Sequence, residues 1–212
     1  MNKTVNQLNK IFEKLDEWRH FPSYQLERRV DIFFLLYIED ILFKKLGIEI
    51  DGVVPEFPIR IGTIDKEQKG NNHSKKIDYL AKSKDGDTIV FIELKTDMKS
   101  RNDKQDKFIR DAKEIGIERI LNGLDQIYKA SKSKNKYRRL FEKLTEMKLI
   151  KWDKGKSKIM EGVKKSEIQI VYLQPEGKNV NEISFNDIAG VIEKKDDEFS
   201  KRFAKSVRKW SE

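Results

Sequence analysis

Cysteine is absent from this 212-residue sequence, and histidine occurs only at positions 20 and 73. The absence of cysteine excludes disulfide bonds, thiolate zinc sites and cysteine nucleophiles. Two histidines are too few for a histidine-rich metal cluster. The longest unbroken apolar run, residues 32–38, is far shorter than the roughly 18 residues of a membrane-spanning helix. Charges throughout the first twenty residues are unlike the apolar region of a signal peptide, so we expect a cytoplasmic protein without membrane contact.

Positive charge is concentrated in one stretch of the chain. The formal net charge is +9, and residues 126–160 alone carry twelve lysines and arginines against three acidic residues. A local excess of this size attracts polyanions such as nucleic acid, although a solvated lysine-rich helix face has the same composition. The cations that we expect to contact nucleic acid are Lys132, Lys134, Lys136, Arg138 and Arg139.

Hydrophobic periodicity predicts an α/β chain. Helices are expected at residues 5–18, 23–47, 104–130, 137–150 and 196–210, and strands at 53–61, 76–81, 88–94 and 167–173. Ser23 is a candidate N-cap and Gly47 a candidate C-cap of the second helix. A helix between the third and fourth strands indicates a mixed central sheet of about four strands flanked by α-helices.

The chain is expected to form a single domain over residues 1–212. Residues 1–22 would be a helical N-terminal extension, and residues 126–165 a basic helical segment before the last core strand. Within that segment, the lysine- and glycine-rich residues 151–165 predict an irregular connection.

Asp78, Glu93 and Lys95 form the sharpest chemical pattern of the sequence. The turn at Asp85 and Gly86 lies nearly midway between the two carboxylates, so a hairpin would bring them together. Glu93 and Lys95 are two residues apart on one strand and share a side. Ligands that are all oxygens suit a hard divalent cation, Mg²⁺ or Mn²⁺. The alternative is a cross-strand salt bridge, but Glu93 follows four apolar residues, where an ionised group is costly unless it binds something.

The pattern Asp78…Glu93-Leu94-Lys95, within a helix, three strands, a helix and a strand, resembles the PD-(D/E)XK (restriction endonuclease-like) nuclease superfamily. The resemblance covers about residues 23–173 and departs from the family pattern at Ile77, where the name-giving proline would stand. It implies a phosphodiesterase in which Asp78, Glu93 and the Leu94 carbonyl hold Mg²⁺ or Mn²⁺, while Lys95 positions the attacking water.

Two further residues come from the same resemblance. Members of the superfamily often add a glutamate from the helix before the first strand; Glu27 is our choice, with Asp31 one turn later as the second candidate. A carboxylate in the first turn of a helix is also favoured by the helix dipole alone. Gln105 resembles the glutamine of the QxxxY element of the recombination-exonuclease branch, although Ile109 replaces the tyrosine. We expect Gln105 to contact phosphate or to orient Lys95.

These features together predict a metal-dependent nuclease that acts on DNA. Two alternatives remain open at this point. The first is a nucleic-acid-binding module with the nuclease fold but no catalysis, because the same basic stretch would bind nucleic acid in a nuclease and in a non-catalytic module. The second is a regulatory subunit of a larger DNA-processing complex, with the helix of residues 1–20 as its docking element.

Overall fold

The computed structural model describes residues 3–98, 101–153 and 155–212. Within these ranges, each helix is too short or too polar to cross a membrane. The chain combines helices with a mixed β-sheet, so the α/β class expected from the sequence is confirmed.

The described strands are β1 (Ile50–Arg60), β2 (Ser74–Ser83), β3 (Thr88–Leu94), β4 (Ile150–Asp153), β5 (Lys156–Ile159), β6 (Glu167–Gln174) and β7 (Glu182–Ser184). Five of them form one sheet in the order β1-β2-β3-β6-β7. β2 is antiparallel to β1 and to β3, whereas β7 is parallel to β6, so the sheet is mixed. The fifth strand, β7, was not predicted, because three residues are too few to show a clear alternation.

The described α-helices are α1 (Lys3–Trp18), α2 (Glu27–Leu35), α3 (Ile38–Leu46), α4 (Ile61–Ile64), α5 (Asp103–Ile115), α6 (Ile117–Ala130), α7 (Lys134–Glu146), α8 (Phe185–Ile192) and α9 (Glu198–Trp210). Short 3-10 helices lie at Lys66–Gln68 and Glu161–Lys165.

The helix expected at residues 23–47 is divided into α2 and α3. The division falls at Leu36 and Tyr37, inside an apolar run whose lack of a polar face conceals the break. Ser23 has a φ of 62° and precedes α2 by several residues, so its prediction as the N-cap is wrong. Gly47 ends α3 in the left-handed conformation, as predicted for a C-cap.

The helix expected at residues 104–130 is likewise divided, into α5 and α6. Gly116 separates them with a φ of 79°, a conformation that glycine adopts without a steric penalty. Residues 151–165, expected to be irregular, contain most of the antiparallel β4–β5 pair and a 3-10 helix. The basic segment of residues 126–165 is therefore only partly helical.

The chain forms two compact units. The first, which we call the helical unit, comprises Met1–Glu49, Leu94–Arg101 and Tyr172–Glu212. Its core is a cluster of aromatic rings with centroids 5.3–6.1 Å apart, formed mainly by Phe12, Phe33, Phe34, Phe199 and Phe203. Helix α1, within the N-terminal extension expected at residues 1–22, packs against α9 in this core. Phe12 and Leu15 of α1 are buried in this core, whereas Ile11 and Trp18 are exposed.

The second unit, which we call the sheet unit, comprises Ile50–Glu93 and Asn102–Val171. Its core lies between the strands and helices α5, α6 and α7. The buried residues at this contact include Val54, Phe57, Ile77, Leu80, Phe91, Ile109, Ile120, Leu124 and Phe141. This core fixes β2 and β3, which carry Asp78 and Glu93, relative to the first turns of α5.

Candidate functional site

Two of the predicted carboxylates lie on adjacent strands of the sheet unit. β2 and β3 pair in an antiparallel register that sets Tyr79 opposite Ile92. Continued by one residue, this register sets Asp78 opposite Glu93, and both residues lie inside their strands. Opposed residues of an antiparallel pair have Cβ atoms about 5 Å apart. The predicted hairpin is thus confirmed, and it carries the two carboxylates to neighbouring positions.

The strand paired with β2 has an unusual backbone angle beside Asp78. Glu56, which the β1–β2 register sets opposite Asp78, has a φ of 51°. Asp78 itself is half-buried, between fully buried residues on either side.

Glu93 is held by a side chain from α5. The Glu93 residue is completely buried, which is costly for a carboxylate unless partners compensate for the lost water. The Gln105 amide Nε2 donates a hydrogen bond to Glu93 Oε2 over 2.6 Å. Asn102 caps α5 by accepting from the Lys104 N–H, and this cap fixes the turn that carries Gln105. The contact of Gln105 is therefore with a proposed metal ligand, which neither of its predicted roles included.

Leu94 and Lys95 follow Glu93 directly in the chain and belong to the helical unit. The Lys95 backbone N–H donates to the Leu173 carbonyl over 2.8 Å, which anchors this segment to β6. The Lys95 residue is 4% exposed, and its ammonium lies 3.9 Å from Glu27 Oε1. Glu27 is the first residue of α2, so the structure brings Lys95 to the helix carboxylate chosen from the sequence.

The proposed donors fit a divalent cation in type. The described ranges contain no group of three or more His, Cys, Asp or Glu side chains placed to hold a metal ion. A site made by Asp78, Glu93 and the Leu94 carbonyl has only two such side chains, and its third donor is a backbone oxygen. All three donors are hard oxygens, the type that Mg²⁺ and Mn²⁺ prefer. The burial of Glu93 adds to the fit, because a cation offsets the cost of a buried negative charge.

Four of the five predicted nucleic-acid contacts are free for an external partner. Their side chains are exposed and form no ion pair within the described residues. They are Lys132, Lys136, Arg138 and Arg139. Helix α7, which carries three of them, has no acidic residue in its first turn. This end of the helix therefore presents uncompensated positive charge.

Lys134, the fifth predicted contact, has a structural role instead. Its ammonium donates to the backbone carbonyls of Tyr128 and Lys129, with a distance of 2.7 Å to the second. It also lies 4.5 Å from the centre of the Tyr128 ring. A cation at the last carbonyls of a helix stabilises that end, here the C-terminus of α6. Lys134 is thus engaged inside the unit, and its contact with nucleic acid stays a prediction.

Trp152 is also committed within the sheet unit. Its ring stacks on Phe141 at a centroid distance of 4.2 Å and an interplanar angle of 4°. Tyr128 contacts both rings edge-on. Trp152 and Tyr137 are both half-buried and pack against the core, the more common place for a single aromatic residue.

Gln174 is a buried polar residue that the sequence analysis did not single out. It is fully buried at the end of β6, next to the Leu173 carbonyl that binds Lys95. Its Nε2 donates to the Glu176 carbonyl over 2.6 Å, while its Oε1 accepts no hydrogen bond from the described part of the chain. The sequence marks Gln174 only as the residue before Pro175, which indicates the end of a strand and nothing about burial.

A scan against protein-family models, a search of curated proteins and a search of solved structures each found no match for this chain. The proposed site includes two groups of residues. In the sheet unit, Asp78 and Glu93 lie on paired strands, and Gln105 binds Glu93. In the helical unit, the buried Lys95 forms an ion pair with Glu27.

Proposed function

We propose that this protein is a metal-dependent nuclease that hydrolyses phosphodiester bonds in DNA. One observation carries the proposal more than any other. Glu93, a fully buried carboxylate at the end of an apolar strand, is bound by a dedicated amide from another element, and its strand pairs with the strand that carries Asp78. A buried acid with this support costs folding energy, which is understandable if it serves a ligand.

Asp78, Glu93 and the Leu94 carbonyl would hold Mg²⁺ or Mn²⁺. Bound there, the cation would acidify a water molecule and offset negative charge on the attacked phosphate. Lys95 would position the attacking water and add a fixed positive charge beside the phosphate. The ion pair with Glu27 would keep the Lys95 ammonium in place when no substrate is bound.

The exposed cations of residues 132–139 would hold the nucleic-acid backbone. Lys132, Lys136, Arg138 and Arg139 are unpaired among the described residues, so they are available to phosphates without breaking an internal contact. Each phosphate contact releases condensed counterions, so binding should weaken steeply as salt increases. The same surface would serve a binding module without catalysis, which is the second candidate function.

Cleavage of a labelled DNA substrate during a Mg²⁺ titration tests the proposal. We expect cleavage with Mg²⁺ or Mn²⁺, none after EDTA, and little with Ca²⁺, which is larger and coordinates more flexibly. Binding of the same DNA in EDTA should persist. Binding without cleavage under every metal condition would favour the non-catalytic module, and full cleavage in EDTA would show that the site is misassigned.

A further inference from the structure

A groove lies in the sheet unit, away from the proposed catalytic carboxylates. It is a groove of about 450 Å³ between the start of β2 and the junction of α6 with α7. Its lining residues are Asn72, His73, Ser74, Ile127, Ala130, Ser131 and Tyr137. The volume falls within the roughly 300–1,000 Å³ of small-ligand pockets. None of the residues that line the groove belongs to the proposed nuclease site.

The groove combines an apolar floor with polar groups that are not used by the fold. Ile127 is buried and the Tyr137 ring is half-buried. The His73 imidazole and the hydroxyls of Ser74 and Tyr137 make no hydrogen bond to other described residues. A flat aromatic surface bordered by free donors and acceptors suits a planar, polar-edged ring such as a nucleobase.

Asn72 at the rim has a fixed orientation. The buried Arg60 guanidinium donates through Nε to Asn72 Oδ1 over 2.7 Å. A second nitrogen of the same guanidinium donates to the Lys69 carbonyl over 2.5 Å, which holds Arg60 in place. Because the Asn72 oxygen is engaged, its amide N–H groups remain for a ligand. The groove thus has a pre-oriented hydrogen-bond donor at its rim.

Two unpaired cations are next to lining residues of the groove in the chain. Lys132 follows the lining residue Ser131, and Lys136 precedes Tyr137; both are exposed and have no ion-pair partner in the described chain. A base in the groove would therefore have its flanking phosphates beside positive charge. Ser74 is four residues from Asp78 on β2, or about 13 Å at the usual strand rise. That distance corresponds to about four steps of a stacked strand at 3.4 Å each.

We propose that this groove binds one unpaired base of a single-stranded nucleic acid segment, stacked on Tyr137, with the adjacent phosphates on Lys132 and Lys136. This inference rests on the proposed nuclease function, whose substrate class it narrows to DNA with a single-stranded region. A base inside a duplex is paired and stacked, so it cannot enter the groove without first being extruded.

Binding measured in EDTA tests this inference separately from catalysis. The probes are a labelled oligothymidylate and a labelled hairpin duplex, compared by fluorescence anisotropy at fixed salt. We expect the single strand to bind more tightly, and Tyr137→Leu to weaken its binding by about tenfold, as for the loss of one base-stacking contact. Tyr137→Phe should retain most of the affinity, and binding of the duplex should change less than about twofold.

His73→Ala provides a second variant that is not at risk of misfolding, because His73 is exposed. It should weaken single-strand binding and leave the melting temperature unchanged. Equal affinity for both probes, or wild-type affinity in folded Tyr137→Leu and His73→Ala, would overturn the groove assignment. Cleavage without tighter binding of the single strand would support the nuclease proposal and contradict the groove assignment. Tighter binding of the single strand without cleavage in Mg²⁺ would support the groove assignment and contradict the nuclease proposal.

Discussion

The sheet unit and the helical unit each contain a buried lysine, and the two lysines differ in their surroundings. Lys82 on β2 is 6% exposed, and its ammonium lies 3.6 Å from Asp51 Oδ2 on the neighbouring strand. Lys95 is 4% exposed and lies 3.9 Å from Glu27 Oε1. By burial and by ion-pair distance, the two lysines are nearly equivalent.

The difference lies in what accompanies each pair. Lys82 stands opposite the apolar Ile89 in the β2–β3 register, and its partner Asp51 is largely exposed. Lys95 instead follows two residues after Glu93, a buried carboxylate with its own hydrogen-bond donor. A buried lysine with one ion pair is therefore no sign of function by itself. A second buried acid, held by a dedicated side chain, is what distinguishes the proposed site.

The largest expected effect separates the two lysines directly. Lys95→Ala should lower the DNA cleavage rate by about 10²-fold or more, because it removes one stabiliser of the transition state. Lys82→Ala should leave the rate within about twofold and instead reduce the free energy of unfolding by about 1 kcal/mol. Cleavage rates and melting temperatures of both variants are measured on the same preparations. Equal losses of cleavage rate in Lys95→Ala and Lys82→Ala would contradict a catalytic role that is specific to Lys95.

A smaller effect is expected for Gln105, which acts through Glu93. Gln105→Ala should raise the Mg²⁺ concentration needed for half-maximal cleavage by about tenfold, as for other residues that orient a metal ligand. Lys107→Ala is the matched control, because Lys107 lies on the same helix, is exposed, and pairs only with Asp111 in the described structure. If saturating Mg²⁺ fails to restore the rate of Gln105→Ala, its role is not that of holding Glu93.

The smallest effect on activity is expected for Asp16, a carboxylate in the helical unit that forms ion pairs with Arg202 and Lys209. Burial raises its pKa, but hydrogen bonds from Ser206, Arg202 and Lys209 outweigh burial and hold the pKa below its usual value. A depressed carboxyl pKa stabilises the fold above the unfolded-state pKa of about 3.9, and this stabilisation is lost as pH falls through the folded-state value.

Asp16→Asn should therefore reduce the free energy of unfolding at neutral pH by about 2 kcal/mol, with a difference that shrinks in acid. The rate of DNA cleavage should stay unchanged. Urea unfolding at several pH values measures the first effect. A loss of stability that is the same at every pH would contradict the ionic explanation.

The sequence predicted the elements whose signals are local. The β2–β3 hairpin follows from two apolar strands around Asp85 and Gly86, and the terminal helix from its periodicity. The break between α2 and α3 was missed, because apolar residues on every side conceal a change of direction. Gly116 was a visible signal for dividing α5 from α6, but glycine also occurs inside helices.

The site was predictable only in part, because some of its contacts depend on packing between elements that are distant in the sequence. The pairing of Asp78 with Glu93 follows from the spacing of a hairpin. The bond from Gln105 to Glu93 depends on how α5 packs on the sheet, and sequence spacing does not show this. The sequence does not distinguish Lys134 from its basic neighbours. The structure does, because the Lys134 ammonium binds a backbone carbonyl at the end of α6.

Binding of Mn²⁺ to Glu93→Gln, measured by calorimetry beside the wild type and Asp51→Asn, tests the central claim most directly. Asp51 is the control because it is another carboxylate of the sheet unit, paired with the buried Lys82 and without a role in the proposed site. We predict that the wild type and Asp51→Asn bind Mn²⁺ with the same affinity and that Glu93→Gln binds at least about tenfold more weakly. Equal affinity in all three proteins, or no binding by the wild type, would contradict the assignment of Glu93 as a metal ligand.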